Sequence, residues 1–291
     1  MKVNFFIVGA PKSGTTSLYY YLDEHPEVEM SREKEPDYFS HESIQNQGMY
    51  YGNQRIDSEK KYHSLFNKAS KGVIFGEASV SYLFYNTVAE KIKRYNSDAK
   101  IIIMLRNPID RAFSHYLMDF RLGLVSDSFE NIINKTSKAK NTHLFFQQYI
   151  EVSEYSNQID RYLKEFDANK ILFIDYEDFK KDTSKVVRNV YAFLDINSEY
   201  KANIYKKHNP FTMSKNNFIR FIYSFIFIRN ILTLLFPKKL VASIRSLFFK
   251  QDNKPVLSEE TRRQLKQYFK KDVLKLNQIM NKNFSKWIKL D

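Results

Sequence analysis

The chain has 291 residues, enough for one α/β domain or two small ones with a sizeable core. Its net charge of +13, from 46 basic and 33 acidic residues, favours anionic partners such as nucleotide phosphates, acidic glycans or an anionic membrane surface. The lack of cysteine excludes disulfides, thiol catalysis and cysteine metal sites. No segment matches a nucleic-acid-binding module, so we expect no nucleic-acid partner.

The first predicted element is a buried strand over residues 3–8, followed by a glycine-bearing loop over 9–17. A helix is expected over Ser17–His25, with Thr15 or Thr16 as its N-cap. Unpaired N–H groups at a helix N-terminus attract an anion, and glycines let the backbone approach it closely. The stretch therefore predicts a phosphate-binding loop.

This loop differs from the nucleoside-triphosphate loop G-x-x-x-x-G-K-[ST], in which the lysine follows the second glycine. Gly9 and Gly14 keep the spacing, but Thr15 occupies the lysine position and Lys12 is the only lysine within the loop. Such a loop suits a 5′-phosphate and lacks the usual arrangement for a magnesium-bound γ-phosphate. The residues predicted to bind the phosphate are Lys12, Ser13, Gly14, Thr15, Thr16 and Ser17.

The segments after the loop alternate between polar and buried stretches. Residues 31–40 are expected to form a loop that returns toward the phosphate site, and residues 41–71 an irregular segment with a short helix around 58–67. A short buried strand that begins at Val73 and ends at Gly76–Glu77 follows, and then a helix near 86–95.

A core strand over 101–105 ends at Arg106. Asn107 is expected to cap the next helix, which the sequence predicts over Pro108–Leu122 with proline in its first position. Because ligands gather at the carboxyl ends of strands in open α/β sheets, Arg106 and Ser114 are placed near a binding site.

Further helices are predicted over 143–150, 155–166 and 183–196, with a strand over 171–175. This alternation indicates an α/β fold of three layers, a central parallel sheet flanked by helices, in a single domain over residues 1–291.

Residues 218–249, the centre of an apolar and basic segment at about 215–250, allow two interpretations. Arg220 and Arg229 argue against a membrane-spanning helix. The segment is either a lid that packs on the domain or an interfacial helix in peripheral contact with a membrane. A long amphipathic helix over Ser258–Met280 is expected to close the domain.

Two motifs carry a family resemblance. PKSGTTSL at 11–18 and LRNPIDRAFSHYLM at 105–118 resemble the 5′- and 3′-phosphate-binding motifs of sulfotransferases that use 3′-phosphoadenosine 5′-phosphosulfate (PAPS). Their order and spacing are similar to the carbohydrate-type members, including the heparan-sulfate group. Further similar segments are KEPDYF at 34–39, GEASVSYLF at 76–84, ILFIDYEDF at 171–179 and the segment around Trp287. The resemblance implies a P-loop-like sulfotransferase fold.

The resemblance also implies roles for individual residues. Lys12 is expected to stabilise charge on the leaving 5′-phosphate, and Arg106 and Ser114 to bind the 3′-phosphate, leaving 3′,5′-adenosine bisphosphate as product. Because a sulfonate carries one negative charge where a terminal phosphate carries about two, we expect no metal requirement. Arg111 is left open, with Asp110 or solvent as its partner.

Two glutamates are candidates for the catalytic base. GEASVSYLF, which contains Glu77, is similar to the segment that carries the catalytic glutamate in N-sulfating members, whereas Glu35 resembles the position used in some O-sulfating relatives. His115 is expected to be structural, because its side chain points about 100° away from that of Ser114 on a helix. A further candidate for binding the nucleotide is the segment with Lys206, Lys207 and Asn209. This segment has little similarity to the family motifs.

We therefore expect a PAPS-dependent sulfotransferase that acts on a hydroxyl or amine of a glycan. A lipid, phenol or alcohol acceptor, a nucleotide kinase, and a non-catalytic protein that binds polyanions or membranes are the alternatives. The N-terminus is not a convincing signal peptide, because Lys2 is followed by a short apolar run and then Pro11. This predicts a cytosolic location, with the inner face of the membrane as an alternative.

Overall fold

The computed structural model describes residues 2–50, 56–67, 72–204, 213–214, 249–250 and 255–289. The strands of its main sheet are β1 Phe5–Gly9, β2 Val28–Met30, β3 Ile74–Ala78, β4 Lys100–Leu105 and β5 Ile171–Asp175. They form a five-stranded parallel sheet in the order β2-β3-β1-β4-β5. Two short strands, β6 Met213–Ser214 and β7 Phe249–Lys250, pair with each other in antiparallel orientation.

Helices cover both faces of the sheet. Their bounds are α1 Thr15–Asp23, α2 His41–Asn46, α3 Glu59–His63, α4 Val88–Tyr95, α5 Pro108–Arg121, α6 Phe129–Ile133, α7 Thr142–Tyr149, α8 Tyr155–Glu165, α9 Tyr176–Lys181, α10 Thr183–Phe193 and α11 Glu259–Met280. The predicted alternation of strands and helices is confirmed, as is the parallel sheet.

The layering follows from the alternation of side chains along β1. Phe6 and Val8 point to one face and join a core with α4, α5, α7, α8 and α11. Phe5 and Ile7 point to the opposite face and join a core with α1, α9 and α10. All of them are fully buried, which explains why the strand is apolar without interruption. Each such side chain stabilises the fold by about 1.5–3 kcal/mol.

Two helix predictions are confirmed in detail. The Asn107 side chain caps α5 by accepting a hydrogen bond from the Ile109 N–H at 3.0 Å, with Pro108 in the first position. Ser258 caps α11. The apolar side of α11 is buried as expected, at Leu265, Phe269, Val273 and Leu276.

The predicted cap of the first helix is wrong. Neither Thr15 nor Thr16 is the N-cap: Gly14 occupies that position with φ +91°, a left-handed conformation that glycine adopts without steric cost. Its carbonyl oxygen accepts from the N–H groups of Ser17 and Leu18 at 3.0 and 3.2 Å. The helix therefore begins two residues earlier than predicted, inside the loop that is predicted to bind phosphate.

The sequence also missed β2, α2, α6 and α9. These elements have three to six residues, which is too short for hydrophobic periodicity to be visible. Residues 215–248, which hold most of the apolar and basic segment, lie outside the described residues, as do Lys206, Lys207 and Asn209. Among the helices that are described, none has both the length and the apolar character needed to cross a membrane.

Candidate active site

The site lies where the carboxyl ends of β1, β3 and β4 meet. β1 is the central strand, with β3 on one side and β4 on the other. The chain leaving β1 leads to one side of the sheet and the chain leaving β4 leads to the other. Open α/β sheets bind ligands at the edge where two such connections separate. The loop after β1 carries Lys12, Arg106 follows β4, and β3 carries Glu77.

The loop after β1 presents several unsatisfied donors. The Ser13 side chain is fully buried, and its Oγ has no hydrogen-bond partner among the residues that the structure describes. The first backbone hydrogen bonds of α1 are accepted by the carbonyl oxygen of Gly14. The N–H groups of Thr15 and Thr16 come before these bonds and have no acceptor within the helix. Thr15 is buried, whereas Thr16 and Ser17 are partly exposed. This arrangement is suited to an anion.

Arg106 lies directly against this loop. Its Nη1 donates to the carbonyl oxygen of Lys12 at 3.0 Å, and its guanidinium lies over the Tyr176 ring, 4.7 Å from the centroid. The Arg106 carbonyl accepts from the Tyr155 hydroxyl at 3.0 Å. Its Nε is buried and has no partner in the described part of the chain. The structure thus brings the two predicted phosphate-binding segments together.

The position of Ser114 gives less direct support for its predicted role. It lies within α5 and is partly exposed, two turns after the helix begins beside Arg106. Its role in binding the 3′-phosphate stays a prediction.

Lys12 occupies an unusual environment for a lysine. Its backbone has φ +67°, and its Nζ lies 3.3 Å from Sδ of Met118 on α5. Burial lowers its pKa from 10.5 to about 8, with the charge of Arg121 acting in the same direction and those of Asp119 and Glu35 opposing it. The ammonium is therefore held in a site where it is poorly solvated and only partly balanced.

The segments around the two candidate bases are joined by hydrogen bonds. The Glu35 N–H donates to the carbonyl oxygen of Ala78 at 2.9 Å, and the Asp37 N–H donates to Ser79 Oγ at 3.0 Å. The Ser81 hydroxyl in turn donates to Asp37 at 2.6 Å. Residues 34–39 and 76–84, both similar to family segments, therefore form one unit beside the phosphate-binding loop.

Glu35 is accessible in this unit. Its side chain is 41% exposed and forms an ion pair with Lys34. Its backbone is left-handed, with φ +63°, a conformation uncommon for a residue other than glycine. Its negative charge favours the protonated form of Lys12.

Glu77 is enclosed. It is fully buried and accepts hydrogen bonds from the Tyr62 hydroxyl at 2.9 Å and the Ser79 hydroxyl at 2.5 Å. Burial raises its pKa from 4.5 to about 8, although these hydrogen bonds and one from Tyr82 oppose the shift. An acceptor has no access to this carboxyl in the structure; the assignment of the base stays a prediction for both glutamates.

Arg111 has neither of the partners that the sequence suggested. Asp110 pairs instead with Arg262 at 3.1 Å. Arg111 is fully buried and donates to Ser153 Oγ and to the last carbonyl oxygens of α7, over 2.6–2.7 Å. These partners lie far along the chain, so no local pattern indicated them. His115 contacts Arg111 at 3.2 Å, and burial lowers its pKa well below the usual value.

Sequence reasoning also missed Asp119. Arg111, His115 and Asp119 recur every four residues on α5, which places them on one face of the helix, and all three are buried. A polar stripe with this spacing was the available signal. The described residues contain no group of three or more histidine, aspartate or glutamate side chains placed to hold a metal.

Comparison with known proteins identifies the family. The family of sulfotransferase domains matches this chain over residues 2–276. The chain belongs to the sulfotransferase family. It is therefore assigned to a family of enzymes, and the nucleotide-kinase alternative is not supported.

Individual relatives agree with this assignment. The sulfotransferase is 28% identical over 227 residues to the bifunctional heparan sulfate N-deacetylase/N-sulfotransferase 1 of Caenorhabditis briggsae, covering 75% of this chain and 25% of that protein. It is 26% identical over 209 residues to the heparan sulfate glucosamine 3-O-sulfotransferase 3B1 of Mus musculus, covering 72% of this chain and 49% of that protein. The chain thus spans at most about half the length of these curated relatives.

A solved structure matches the whole chain. The sulfotransferase from Alicyclobacillus acidocaldarius is 27% identical, with a TM-score of 0.72 over 99% of this chain and 100% of that chain. The predicted P-loop-like sulfotransferase fold is confirmed.

Proposed function

We propose that this sulfotransferase uses PAPS as donor and transfers its sulfonate in line to a hydroxyl or amine of a glycan. The hydrogen bond from Arg106 Nη1 to the carbonyl oxygen of Lys12, 3.0 Å long, is the main support. It sets a guanidinium beside a helix N-terminus, so that two groups that attract phosphate are neighbours. A donor with phosphates at the 3′ and 5′ positions of one ribose matches this arrangement.

The unsatisfied groups of the site fit such a donor. Ser13 Oγ and the first-turn N–H groups of α1 would bind the 5′-phosphate. Arg106, whose Nε also lacks a partner in the described residues, would bind the 3′-phosphate together with Ser114. The Arg106 guanidinium lies over the Tyr176 ring, which helps to hold it in place.

In the proposed step, the acceptor oxygen or nitrogen attacks sulfur while the bond from sulfur to the bridging oxygen breaks. The electron pair of the broken bond stays on the 5′-phosphate, where the Lys12 ammonium balances the added negative charge. The proton of the acceptor passes to the carboxylate of Glu35. Glu35 is preferred to Glu77 because its side chain is exposed and its charge acts on Lys12, whereas Glu77 is enclosed.

A glycan acceptor is supported by two observations. Both curated relatives described above are named for their action on heparan sulfate. The net charge of +13 also suits an acidic polymer. The cytosolic location and a membrane contact through residues 218–249 stay predictions.

The test is transfer of label from radiolabelled PAPS to a panel that contains acidic glycans, a neutral glycan, a phenol and a long-chain alcohol. We expect labelled glycan together with equimolar 3′,5′-adenosine bisphosphate, and neither with the variant Lys12→Ala. Label on the phenol or alcohol alone would overturn the glycan acceptor. Lack of binding of 3′,5′-adenosine bisphosphate to the protein would overturn the donor.

A further inference from the structure

The contact that Lys12 makes in this structure leaves its charge unbalanced. Its Nζ lies 3.3 Å from Sδ of Met118. A thioether sulfur is a weak acceptor and carries no charge, so it does not compensate the charge of this partly buried lysine. Some neighbouring group must therefore hold the cation in place.

Asp119, the next residue along α5, carries a negative charge that favours the protonated form of Lys12. It is fully buried, and its Oδ2 accepts from the hydroxyls of Tyr50 at 2.6 Å and Tyr149 at 2.9 Å. Its Oδ1 is buried without a hydrogen-bond partner among the described residues. A buried carboxylate oxygen without a donor is costly, which suggests that a donor reaches it in a working state of the enzyme.

We propose that Asp119 is a positioning residue, whose Oδ1 anchors the Lys12 ammonium while Tyr50 and Tyr149 fix the carboxylate through Oδ2. This inference rests on the role proposed for Lys12 in the transfer step. Asp119 would hold the lysine from behind and keep it protonated. Lys12 then meets the leaving 5′-phosphate as a cation in a fixed position.

The charges around Lys12 come from several elements. Arg121 at the end of α5 and Arg106 after β4 disfavour its protonated form, whereas Asp119 and Glu35 favour it. Of the two carboxylates, Glu35 has the exposed side chain and forms an ion pair with Lys34. Solvent and salt therefore screen its effect on Lys12 more strongly. Asp119 is the buried one, and its influence is screened least.

Two further groups face this cluster. His115 lies on α5. Burial and the charges of Arg111 and Lys12 lower its pKa well below the usual value, so it is neutral at pH 7. Burial raises the pKa of Asp119 to about 6, with its two tyrosines, Lys12 and Arg111 opposing the shift. Asp119 is therefore ionised at neutral pH and available to the ammonium.

The test measures the protonation of Lys12 directly, without donor or acceptor. The rate of amine labelling at Lys12 is followed against pH by mass spectrometry in the wild type and in Asp119→Asn, with Lys12→Met to identify the peptide. We expect the pKa of Lys12 to fall by about one pH unit in Asp119→Asn, because a neighbouring negative charge is removed. In the pH dependence of turnover, the change at high pH should move to lower pH by the same amount.

Matched controls separate this role from a structural one. Met118→Leu removes the sulfur contact and Tyr149→Phe removes one hydrogen bond, but both keep the Asp119 charge, so we expect shifts in the Lys12 pKa of less than about 0.3 pH units. An unchanged Lys12 pKa in folded Asp119→Asn would overturn the proposal, whatever donor the enzyme uses.

A reciprocal measurement covers the case in which Asp119→Asn does not fold. Titration of the Asp119 carboxyl carbon by NMR in Lys12→Met should show its pKa rising above the value of about 6, because the stabilising cation is gone. No rise would overturn the proposal equally. Both measurements are independent of turnover, so failure of the proposed donor or acceptor would be recognised separately.

Discussion

Nη1 of Arg106 donates a hydrogen bond to the carbonyl oxygen of Lys12 at 3.0 Å, across a sequence separation of 94 residues. This bond joins the end of β4 to the loop after β1. It uses only part of the guanidinium, because Nε remains without a partner in the described residues. The side chain can therefore support the loop and still bind an anion.

Replacing Arg106 by lysine should weaken binding of 3′,5′-adenosine bisphosphate about 10- to 100-fold, because one ammonium cannot reproduce the planar fork. Binding of adenosine 5′-phosphate, which lacks the 3′-phosphate, should change far less. Calorimetric titration with both nucleotides measures the difference.

The matched control for this substitution is Arg161→Lys. Arg161 also donates to backbone carbonyl oxygens, those of Leu83 and Phe84, but lies on α8. It should leave both affinities unchanged. An equal loss for the two nucleotides in Arg106→Lys would indicate that Arg106 supports the loop only.

Replacing Lys12 by methionine should reduce turnover about 100- to 1000-fold and remove a pH dependence of the stability of the fold. The folded pKa of about 8 lies below the unfolded value of 10.5, so burial disfavours the charged form. Between these values the unfolded chain binds more protons, and wild-type stability rises with pH. Methionine removes that dependence, so the melting temperature of the variant relative to the wild type should fall between pH 8 and 10.

Calorimetric melting between pH 7 and 10 measures this difference. An equal rise of the melting temperature between pH 8 and 10 in wild type and Lys12→Met would contradict the prediction, because it would mean that Lys12 is not the source of the pH dependence.

Replacing Glu35 by glutamine should lower turnover about 100-fold or more without loss of donor affinity, because glutamine cannot accept the proton. Glu77→Gln should affect turnover much less, since this carboxyl is enclosed by Tyr62 and Ser79. Single-turnover rates at saturating donor compare the two variants. The reverse order of effects would assign the base to Glu77.

Glu77 should make wild-type stability fall as pH rises. Its folded pKa of about 8 lies above 4.5, so between these values the folded protein binds a proton that the unfolded chain has lost. The free energy of unfolding should therefore fall by up to about 1.4 kcal/mol per pH unit on account of this group. Glu77→Gln mimics the protonated form and should remove that contribution. Urea unfolding at several pH values compares the two proteins, and identical slopes would contradict the assignment.

Replacing Gly14 by alanine should destabilise the protein by about 2 kcal/mol or more and weaken donor binding. At φ +91° an added Cβ is strained, and it would lie 3.2 Å from Phe179 and 3.3 Å from Tyr176. Gly48 provides the control, because its φ is +63° with no atom within 4 Å of an added Cβ. Gly48→Ala should cost about 1 kcal/mol. Equal losses on urea unfolding would show that the contacts with the two rings are unimportant.

The sequence by itself determined the features whose causes are local. The loop predicted to bind phosphate is contiguous, the strand before it is apolar without interruption, and the Asn107–Pro108 pair marks a helix start. Each of these features depends on residues that are close together in the sequence, so the sequence alone reveals it. The N-cap was misplaced because threonine and glycine both suit that position, and only the backbone conformation at Gly14 separates them.

Only the tertiary structure decided which carboxylate is accessible and which charges lie near Lys12. Glu35 and Glu77 are equivalent as residues, and their exposure differs because Tyr62 and Ser79 enclose Glu77 alone. Likewise Asp119 meets tyrosines 69 and 30 residues away. Burial and the resulting electrostatics arise from contacts between distant segments, which no local pattern encodes.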